Sequence, residues 1–349
     1  MYLHGGDIYR NIVEYDFSIN VNPLGMPIRS INAAHEGICL SGRYPDYKGE
    51  ELCRAIAESK NIDSDMIILG NGAAELIYTL CYALKPKKAL LLAPTFFEYE
   101  RALRNVDCEI KYHYLKENQD FVLTDEVLKC VSEDTDIMFL CNPNNPTGRL
   151  VDYGLMKKIV KRCNENNVIL CVDECFLPFT CKEEENTMIN LLKCNNNLIV
   201  LRAFTKIYAM AGLRLGYAVT LNIDLRDKML VGMQPWNTSI PAQMAGIEAL
   251  KDQEYIEKTK VLIELEKKYL VSELSRGLVE KVFESDVNYL LVKAKASLYD
   301  SLYEQGVMIR KCSNFKGLNE KFYRIAVRSR SENQELIKRW EKIKKDAQL

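Results

Sequence analysis

The chain has 349 residues, of which 48% are hydrophobic and 27% charged, and its net charge is −1. This composition is typical of a folded globular protein and excludes disordered and membrane-embedded classes. So small a net charge offers no electrostatic reason to expect nucleic acid or an anionic membrane as a partner, and any anionic ligand must be held by local cations.

Twelve cysteines are scattered along the chain, without CxxC pairs and without histidines at zinc-ligand spacing. We therefore predict no metal site, and a reducing, cytoplasmic location. The start of the sequence has no basic segment followed by an apolar one, and no apolar run is as long as a membrane span. We expect neither secretion nor membrane insertion.

Residues 1–30 are rich in Gly, Asn and Pro, which predicts an arm that lies across the rest of the protein. Short apolar runs then alternate with longer amphipathic segments. This alternation predicts an α/β fold, a mostly parallel sheet with helices on both faces. We expect a large domain over residues 31–240, with buried strands near 66–69, 89–93, 137–141, 168–172 and 198–201.

The pattern changes in the last third of the chain. A long charged helix near residues 252–275 is followed by a strand-like segment at 287–292, a helical one at 294–305 and a strand-like one at 323–327. We predict a smaller α+β domain over residues 241–349. Because no low-complexity linker separates the two domains, they should pack against each other.

A Gly-rich turn, Gly70-Asn71-Gly72-Ala73, follows the first predicted strand and opens a helix. The free N–H groups and the positive end of such a helix can receive a phosphate, although a purely structural turn is equally compatible with the pattern. Phe96 follows the next strand. Its ring can stack on a planar ligand or pack into the core.

The turn CNPNNPTG at residues 141–148 directly follows a buried strand, and its prolines make it rigid. This places the amide of Asn145 in the crevice at the carboxyl ends of the strands, where ligands of open α/β sheets bind. Asp173 ends the following strand, where a carboxylate can keep a heteroaromatic nitrogen protonated. The alternative for Asp173 is a helix N-cap.

Lys206 follows the last of these strands in the segment RAFTK, and Arg214 comes shortly afterwards in GLRLG. This arrangement suits a carbonyl cofactor with a phosphate group. The amine can bond to the carbonyl carbon, while Arg214 and the hydroxyl of Thr205 hold the phosphate.

These segments, in this order, resemble the fold type I pyridoxal-phosphate enzymes of the aspartate aminotransferase superfamily, over nearly the whole chain. The resemblance implies a homodimer with pyridoxal 5'-phosphate bound covalently by Lys206. It also implies that Asp173 pairs with the ring nitrogen, Asn145 contacts the ring hydroxyl and Phe96 stacks on the ring. The residues implied to hold the cofactor phosphate are Gly72, Ala73, Thr205, Arg214 and, from the other subunit, Tyr44.

Within this superfamily the chain is most similar to threonine-phosphate decarboxylases of cobalamin biosynthesis, and next to histidinol-phosphate aminotransferases. The segments HGGDIYR, DFSINVNPLG, QPWN and FYRIAVRS favour the decarboxylases, as does Phe176, where the aminotransferases carry a tyrosine. The implied reaction is decarboxylation of L-threonine O-phosphate or L-serine O-phosphate. The alternative is an aminotransferase of the histidinol-phosphate type that uses 2-oxoglutarate and glutamate.

The resemblance also implies the residues that bind the phosphorylated amino acid. Arg324 would take the α-carboxylate and Arg310 the distal phosphate, since a guanidinium can grip either anion bidentately. The resemblance further implies that the arm, residues 1–30, contributes to the substrate site. The residues expected to assist are His4, Asn22 and Tyr9.

One residue departs from the family pattern. Ala203 stands where the family usually carries Ser or Thr, so one hydrogen bond to the cofactor phosphate is missing, at a cost of about 1 kcal/mol. The sequence does not determine which bond at the substrate's α-carbon is cleaved, because that depends on sub-ångström orientation.

Overall fold

The computed structural model describes residues 4–346. In this range the strands are β1 (Tyr15–Asp16), β2 (Ile67–Gly70), β3 (Lys88–Ala93), β4 (Glu109–Tyr114), β5 (Ile137–Cys141), β6 (Ile169–Asp173), β7 (Leu198–Ala203), β8 (Gly216–Thr220), β9 (Lys281–Val282), β10 (Tyr289–Lys293), β11 (Val307–Met308), β12 (Arg310–Lys311) and β13 (Phe322–Ala326). The helices are α1 (Ile28–Cys39), α2 (Glu50–Lys60), α3 (Gly72–Leu84), α4 (Glu98–Arg104), α5 (Tyr153–Glu165), α6 (Glu183–Asn186), α7 (Phe204–Ile207), α8 (Ile223–Gly232), α9 (Ile240–Leu250), α10 (Gln253–Leu274), α11 (Leu298–Glu304) and α12 (Arg330–Asp346).

The largest sheet has the strand order β2-β8-β7-β6-β5-β3-β4. Strand β8 runs antiparallel to both of its neighbours, and the other adjacent pairs are parallel. Strands β2, β3, β5, β6 and β7 therefore end at the same edge of the sheet. The predicted α/β fold is confirmed, and the segments that follow these strands meet at one edge.

The five buried strands predicted for this region are present as β2, β3, β5, β6 and β7. Two further strands were not predicted. Strand β4 lies at the sheet edge and alternates the polar residues Glu109, Lys111 and His113 with Ile110 and two tyrosines, so it carries no buried apolar run. Strand β8 is fully buried but short, and it directly follows the Arg214 segment.

Side-chain caps and apolar faces explain where several helices begin and pack. The Leu155 N–H donates to Asp152 Oδ1 at 2.9 Å at the start of α5, and the Tyr255 N–H donates to Asp252 Oδ1 at 3.1 Å at the start of α10. Buried residues recur on one face of α5, including Ile159, which joins the core beneath the sheet. No described helix is both long and apolar enough to cross a membrane.

A second, antiparallel sheet has the order β12-β13-β10-β9. Leu290 on β10 shares one buried cluster with Leu270 on α10 and Leu336 on α12. This arrangement contains the predicted long helix and the predicted strands of the C-terminal region. The domain boundary after residue 240 stays a prediction.

Much of the predicted arm is held against the C-terminal sheet region, and residues 1–3 lie outside the described range. Strand β1 pairs in parallel with β11, with Tyr15 opposite Val307. Farther along, the amide of Asn288 donates to the Asn20 carbonyl oxygen at 3.0 Å. The arm thereby brings residues 18–20 to the edge of the large sheet.

Candidate active site

A cavity of about 210 Å³ is lined by residues from the carboxyl edge of the large sheet, from β12 and β13, and from the arm. Its lining residues come from distant parts of the chain. The sequence-predicted residues that line it are His4, Ala73, Phe96, Asn145, Asp173, Thr205, Lys206, Arg214, Arg310 and Arg324.

Lys206 lies on the one-turn helix α7, directly after β7. Burial lowers the pKa of its amine to about 8, and the positive charges of Arg324 and Arg214 act in the same direction, partly opposed by Cys175 and Asp173. A far larger fraction of this amine is neutral near pH 8 than for an ordinary lysine. Lys206 is therefore suited to attack a carbonyl carbon and to exchange protons.

Asp173 is fixed in orientation because each of its carboxylate oxygens accepts a hydrogen bond. The Tyr99 hydroxyl donates to Oδ2 at 2.7 Å, and the Cys175 N–H donates to Oδ1 at 3.0 Å. The next helical turn has Phe176 as its N-cap, so the N-cap alternative for Asp173 does not apply. The buried carboxylate faces the cavity, where it can pair with a protonated ring nitrogen.

Asn145 and Arg324 are linked within the cavity wall. Arg324 Nη1 donates to Asn145 Oδ1 at 2.6 Å, and Arg324 Nη2 donates to the Ser18 carbonyl oxygen at 2.8 Å. The Arg324 Nε atom is buried and has no hydrogen-bond partner among the described residues. Because the Asn145 oxygen is already engaged, its amide N–H groups are the part of this side chain left to donate to a ligand.

The start of α3 provides a place for a phosphate. Gly72 has a φ of +75°, and a Cβ at this position would lie 2.6 Å from Arg214 Nη2. Glycine is therefore required for the close approach of the guanidinium. The N-cap residue Asn71 makes no side-chain capping bond, which leaves the first helical N–H groups for an anion. We call the set Gly72, Ala73, Thr205 and Arg214 the phosphate cup.

Arg310 and Arg324 stand opposite each other on β12 and β13, and we call them the arginine pair. The Arg310 guanidinium donates to the Lys311 carbonyl oxygen at 2.5 Å and to Asn314 Oδ1 at 2.9 Å, and it lies 5.3 Å from the Phe315 ring centroid. Burial lowers the pKa of Arg310 to about 10, with further repulsion from Arg324. Both remain cationic at neutral pH, and both line the cavity.

The cavity therefore holds a large excess of positive charge. Lys206, Arg214 and the arginine pair face it together, and the acidic side chain in the lining is Asp173. Among residues 4–346, no salt bridge joins any of these cations to a carboxylate. Buried charge without a counter-charge is unfavourable, so this arrangement calls for anionic ligands.

The family described as "Aminotransferase class I and II" matches residues 14–339, most of the chain. The chain belongs to the class I and II aminotransferase family. Its fold is that of fold type I pyridoxal-phosphate enzymes, and pyridoxal 5'-phosphate is the cofactor.

The relatives of this aminotransferase-family chain include both decarboxylases and aminotransferases. The threonine-phosphate decarboxylase of Salmonella typhimurium is 37% identical over 325 residues, or 92% of this chain and 89% of that protein. The adenosylcobalamin biosynthesis bifunctional protein of Leptospira interrogans is 33% identical over 92% of this chain and 38% of that protein. The solved structure of the histidinol-phosphate aminotransferase from Clostridium acetobutylicum superposes with a TM-score of 0.89 at 32% identity, covering 95% of this chain and 99% of that one.

Two observations indicate that the cavity can hold the family cofactor. Glycine at position 72 leaves a space beside Arg214 that a Cβ would fill, and the helix start next to it has uncapped N–H groups. The donor set also matches the cofactor, with an amine for its aldehyde, a carboxylate for its ring nitrogen and a cation for its phosphate. The residues able to supply these contacts are Lys206, Asp173, Asn145, Phe96 and the phosphate cup.

Four predicted site residues do not line this cavity, and one of them, Gly72, lies next to the lining residue Arg214. The Asn22 amide donates to the Ile207 carbonyl oxygen at 2.8 Å and to Thr259 Oγ1 at 2.7 Å, contacts that anchor the arm, and its role in substrate binding stays a prediction. Tyr9 is 91% exposed, and its substrate contact stays a prediction. Tyr44 is also exposed and stacks on Trp236 with ring centroids 4.5 Å apart. Its contact from a second subunit stays a prediction.

Two residues with evident roles were missed. Asn20 lines the cavity, and its buried Oδ1 has no hydrogen-bond partner among the described residues. Tyr99, which orients Asp173, was passed over because it lies inside an aromatic run typical of core packing. The every-second-residue spacing of Ser18, Asn20 and Asn22 was a signal for a polar face, but it does not separate the two asparagines.

Proposed function

We propose that this chain is a pyridoxal-phosphate-dependent decarboxylase in cobalamin biosynthesis. Its substrate would be L-threonine O-phosphate or L-serine O-phosphate, and its products CO2 and an amino-alcohol phosphate. The observation that carries the proposal is the arginine pair, two buried cations that line the Lys206 cavity without a carboxylate partner in the described chain. A small substrate with a carboxylate and a phosphate would neutralise both, and the identity to the Salmonella decarboxylase supports this assignment.

In this proposal Arg324 binds the α-carboxylate. Its Nε is buried and unpartnered, whereas its Nη atoms are oriented by Asn145 and Ser18. A ligand oxygen at Nε would complete its hydrogen bonding and remove the penalty of an unsatisfied buried donor.

Arg310 binds the distal phosphate. Its guanidinium is held by Lys311 and Asn314 and stacks on Phe315, so it is preorganised for an anion. His4 and Asn20 also line the cavity and supply further polar contacts to the substrate.

When bound, pyridoxal phosphate supplies an electron sink for the electron pair left at the substrate's α-carbon. Asp173 keeps its hydrogen-bonded carboxylate available for the ring nitrogen. When the bond from the α-carbon to the carboxylate breaks and CO2 leaves, the Lys206 ammonium donates a proton to the α-carbon. The pKa of about 8 suits Lys206 to give up and regain a proton near neutral pH.

The second candidate is transamination of histidinol phosphate. The structural likeness to the Clostridium aminotransferase, at 32% identity, favours it specifically. In that reaction Lys206 would take a proton from the α-carbon, and an oxo acid would receive the amino group. Both reactions use a phosphorylated substrate, so Arg310 has the same role in each.

The deciding experiment is incubation of the cofactor-loaded protein with L-threonine O-phosphate, with and without 2-oxoglutarate. A parallel assay would offer histidinol phosphate and 2-oxoglutarate. CO2 release that does not depend on the oxo acid is the expected result. Glutamate formation without CO2 would identify an aminotransferase and overturn the proposal.

We further propose that the protein is a homodimer in which Tyr44 reaches the partner's phosphate cup. Tyr44 and Trp236 form an exposed aromatic stack. The adjacent Asn237 donates to Glu75 Oε2 at 2.6 Å, and the same oxygen accepts the Asn71 N–H at 2.6 Å. The exposed stack is therefore linked to the start of α3. Light scattering of the native protein and of Tyr44→Ala, with cofactor titration of both, would test this arrangement.

We also propose a cytoplasmic location. All twelve cysteines are free thiols in the structure. Thiols remain reduced in the cytoplasm, whereas oxidising compartments favour disulfides.

A further inference from the structure

Residues 4–6 of the arm enter the cavity packed closely on Ser18. The Gly6 N–H donates to Ser18 Oγ at 2.8 Å, and a Cβ on Gly5 would collide with the Ser18 carbonyl oxygen. That carbonyl oxygen accepts a hydrogen bond from Arg324. The His4 side chain lines the cavity. One end of this segment is therefore tied to the arginine pair.

At its other end the segment meets Glu98, a buried carboxylate on α4. Glu98 Oε1 lies 3.0 Å from His4 Nε2 and 3.6 Å from Arg101 Nη1, and the Tyr78 hydroxyl donates to Oε2 at 2.7 Å. The His4 ring also packs on Phe97, with ring centroids 4.6 Å apart. Burial raises the pKa of Glu98, but the contacts with His4 and Tyr78 outweigh it and place the pKa below its usual range.

The contact between Glu98 and His4 is short, with 3.0 Å between Glu98 Oε1 and His4 Nε2. Glu98 Oε1 accepts no well-aligned hydrogen bond among the described residues, although His4 Nε2 is within reach. Glu98 is almost fully buried while His4 is half exposed, so the carboxylate is the fixed partner and the arm is the element being held. With Nε2 occupied, Nδ1 is the ring nitrogen left for a ligand.

We propose that Glu98 positions the N-terminal arm over the substrate cavity by holding His4, so that the arm closes the cavity beside the arginine pair. The identity of the substrate in this inference rests on the proposed function. Glu98 does not line the cavity, so it is a positioning residue that acts through His4. Tyr78 supports it from α3, the helix that begins with Gly72 and Ala73 of the phosphate cup, and links the arm to the cofactor side of the site.

Amide hydrogen exchange of residues 4–11 in the cofactor-loaded protein tests directly whether Glu98 holds the arm in place. We expect Glu98→Gln and His4→Ala each to speed exchange about tenfold, and the double variant to add little, as for two partners of one contact. Inorganic phosphate should slow exchange in the native protein but not in Glu98→Gln. The matched control is Glu100→Gln, whose side chain lies on the same helix and pairs with Arg104 at 2.8 Å.

Native exchange rates in Glu98→Gln would overturn the proposal, as would additive effects in the double variant. If Glu98→Gln does not fold, His4→Gln at its half-exposed site and Tyr78→Phe provide the same comparison. If neither of these variants exchanges faster than the native protein, the proposed role of Glu98 is excluded.

Steady-state kinetics separate a positioning role of Glu98 from general destabilisation of the protein. Glu98→Gln should raise KM for L-threonine O-phosphate about tenfold and change kcat less than about twofold, the pattern of lost substrate binding. A fall in kcat with unchanged KM would contradict it. If the native protein releases no CO2 from this substrate, the proposed function fails, whereas the exchange and phosphate-protection measurements still decide the role of Glu98.

Discussion

The phosphate cup and the arginine pair both attract anions, yet they are built in opposite ways. The cup uses the first N–H groups of α3, a glycine at positive φ and Arg214 beside it, in segments that follow parallel strands. The arginine pair uses guanidinium groups from two antiparallel strands, and Arg324 is oriented by partners from distant parts of the chain. Backbone donors tolerate most side-chain changes, so the cup suits an unchanging cofactor. The pair depends on side chains, so it can be altered to suit different substrates.

The largest expected effect comes from removing the amine of Lys206, which lines the same cavity as both regions. Lys206→Ala should abolish the visible absorbance of the lysine-bound cofactor and lower activity by about 10³-fold or more, because the nucleophile is lost. Absorption spectra and a turnover assay check this, with circular dichroism to confirm folding. A visible band that persists at native intensity would contradict the cofactor assignment.

Altering the arginine pair should change substrate binding and leave the cofactor in place. Arg310→Ala should raise KM for phosphorylated substrates about 100-fold but affect unphosphorylated amino acids little, because a buried charge-assisted contact is lost only with the former. Steady-state kinetics with both substrate classes provide the measurement. A uniform rise in KM would remove Arg310 from the phosphate role.

Altering the phosphate cup should weaken cofactor binding and leave substrate binding unchanged. Gly72→Ala places a Cβ against Arg214 in a backbone conformation with a φ of +75°, and we expect cofactor affinity to fall about 30-fold. Equilibrium titration with pyridoxal phosphate checks the value. KM for the substrate, measured with saturating cofactor, should stay near native, and a change there would show that the two regions are not independent.

The amine of Lys206 predicts that the rate of cofactor binding depends on pH. Since the pKa of Lys206 is lowered to about 8, the neutral amine should increase as pH rises and then level off above that pKa. The rate at which the cofactor-free protein bonds to pyridoxal phosphate should increase about tenfold from pH 7 to 9. Stopped-flow absorbance gives the rate. In Arg324→Gln the inflection should move to higher pH, because one nearby positive charge is gone.

The smallest effect concerns the missing hydroxyl in the cup region. Ala203 lines the cavity beside Ala73 and Cys175, and Ala203→Ser should tighten cofactor binding about fivefold, the equivalent of about 1 kcal/mol for one added hydrogen bond. Competition for limiting pyridoxal phosphate between the two proteins can resolve this difference. Unchanged or weaker binding would show that the serine hydroxyl does not reach the phosphate.

The large-sheet side of the cavity was accessible to sequence reasoning because its residues follow apolar strands. Asn145, Asp173 and Lys206 each come just after a buried run, and parallel strands bring such positions to one edge. The arginine pair could be found only through family resemblance, since neither arginine has a distinctive local pattern. Strand β4 was missed because its side chains are half exposed at the sheet edge.

The arm shows why local patterns fail at single-residue precision. Asn20 and Asn22 have the same spacing pattern, but the chain turns at Asn22, where the Leu24 N–H donates to Asn22 Oδ1 at 3.0 Å. The Asn22 amide then bonds to Ile207 and Thr259, far away in the sequence. That choice depends on tertiary contacts, which a short motif does not encode.

The placement of the two arginines on adjacent strands also bears on turnover. In the proposed decarboxylation the substrate would lose the group bound by Arg324 and keep the phosphate bound by Arg310, so the product would be held by one charge where the substrate was held by two. The proposed reaction would thus lower the affinity of the enzyme for its product. With Arg324 vacated beside Arg310, an incoming substrate would engage its carboxylate there first and displace the departing phosphate ester, which would limit inhibition by accumulated product.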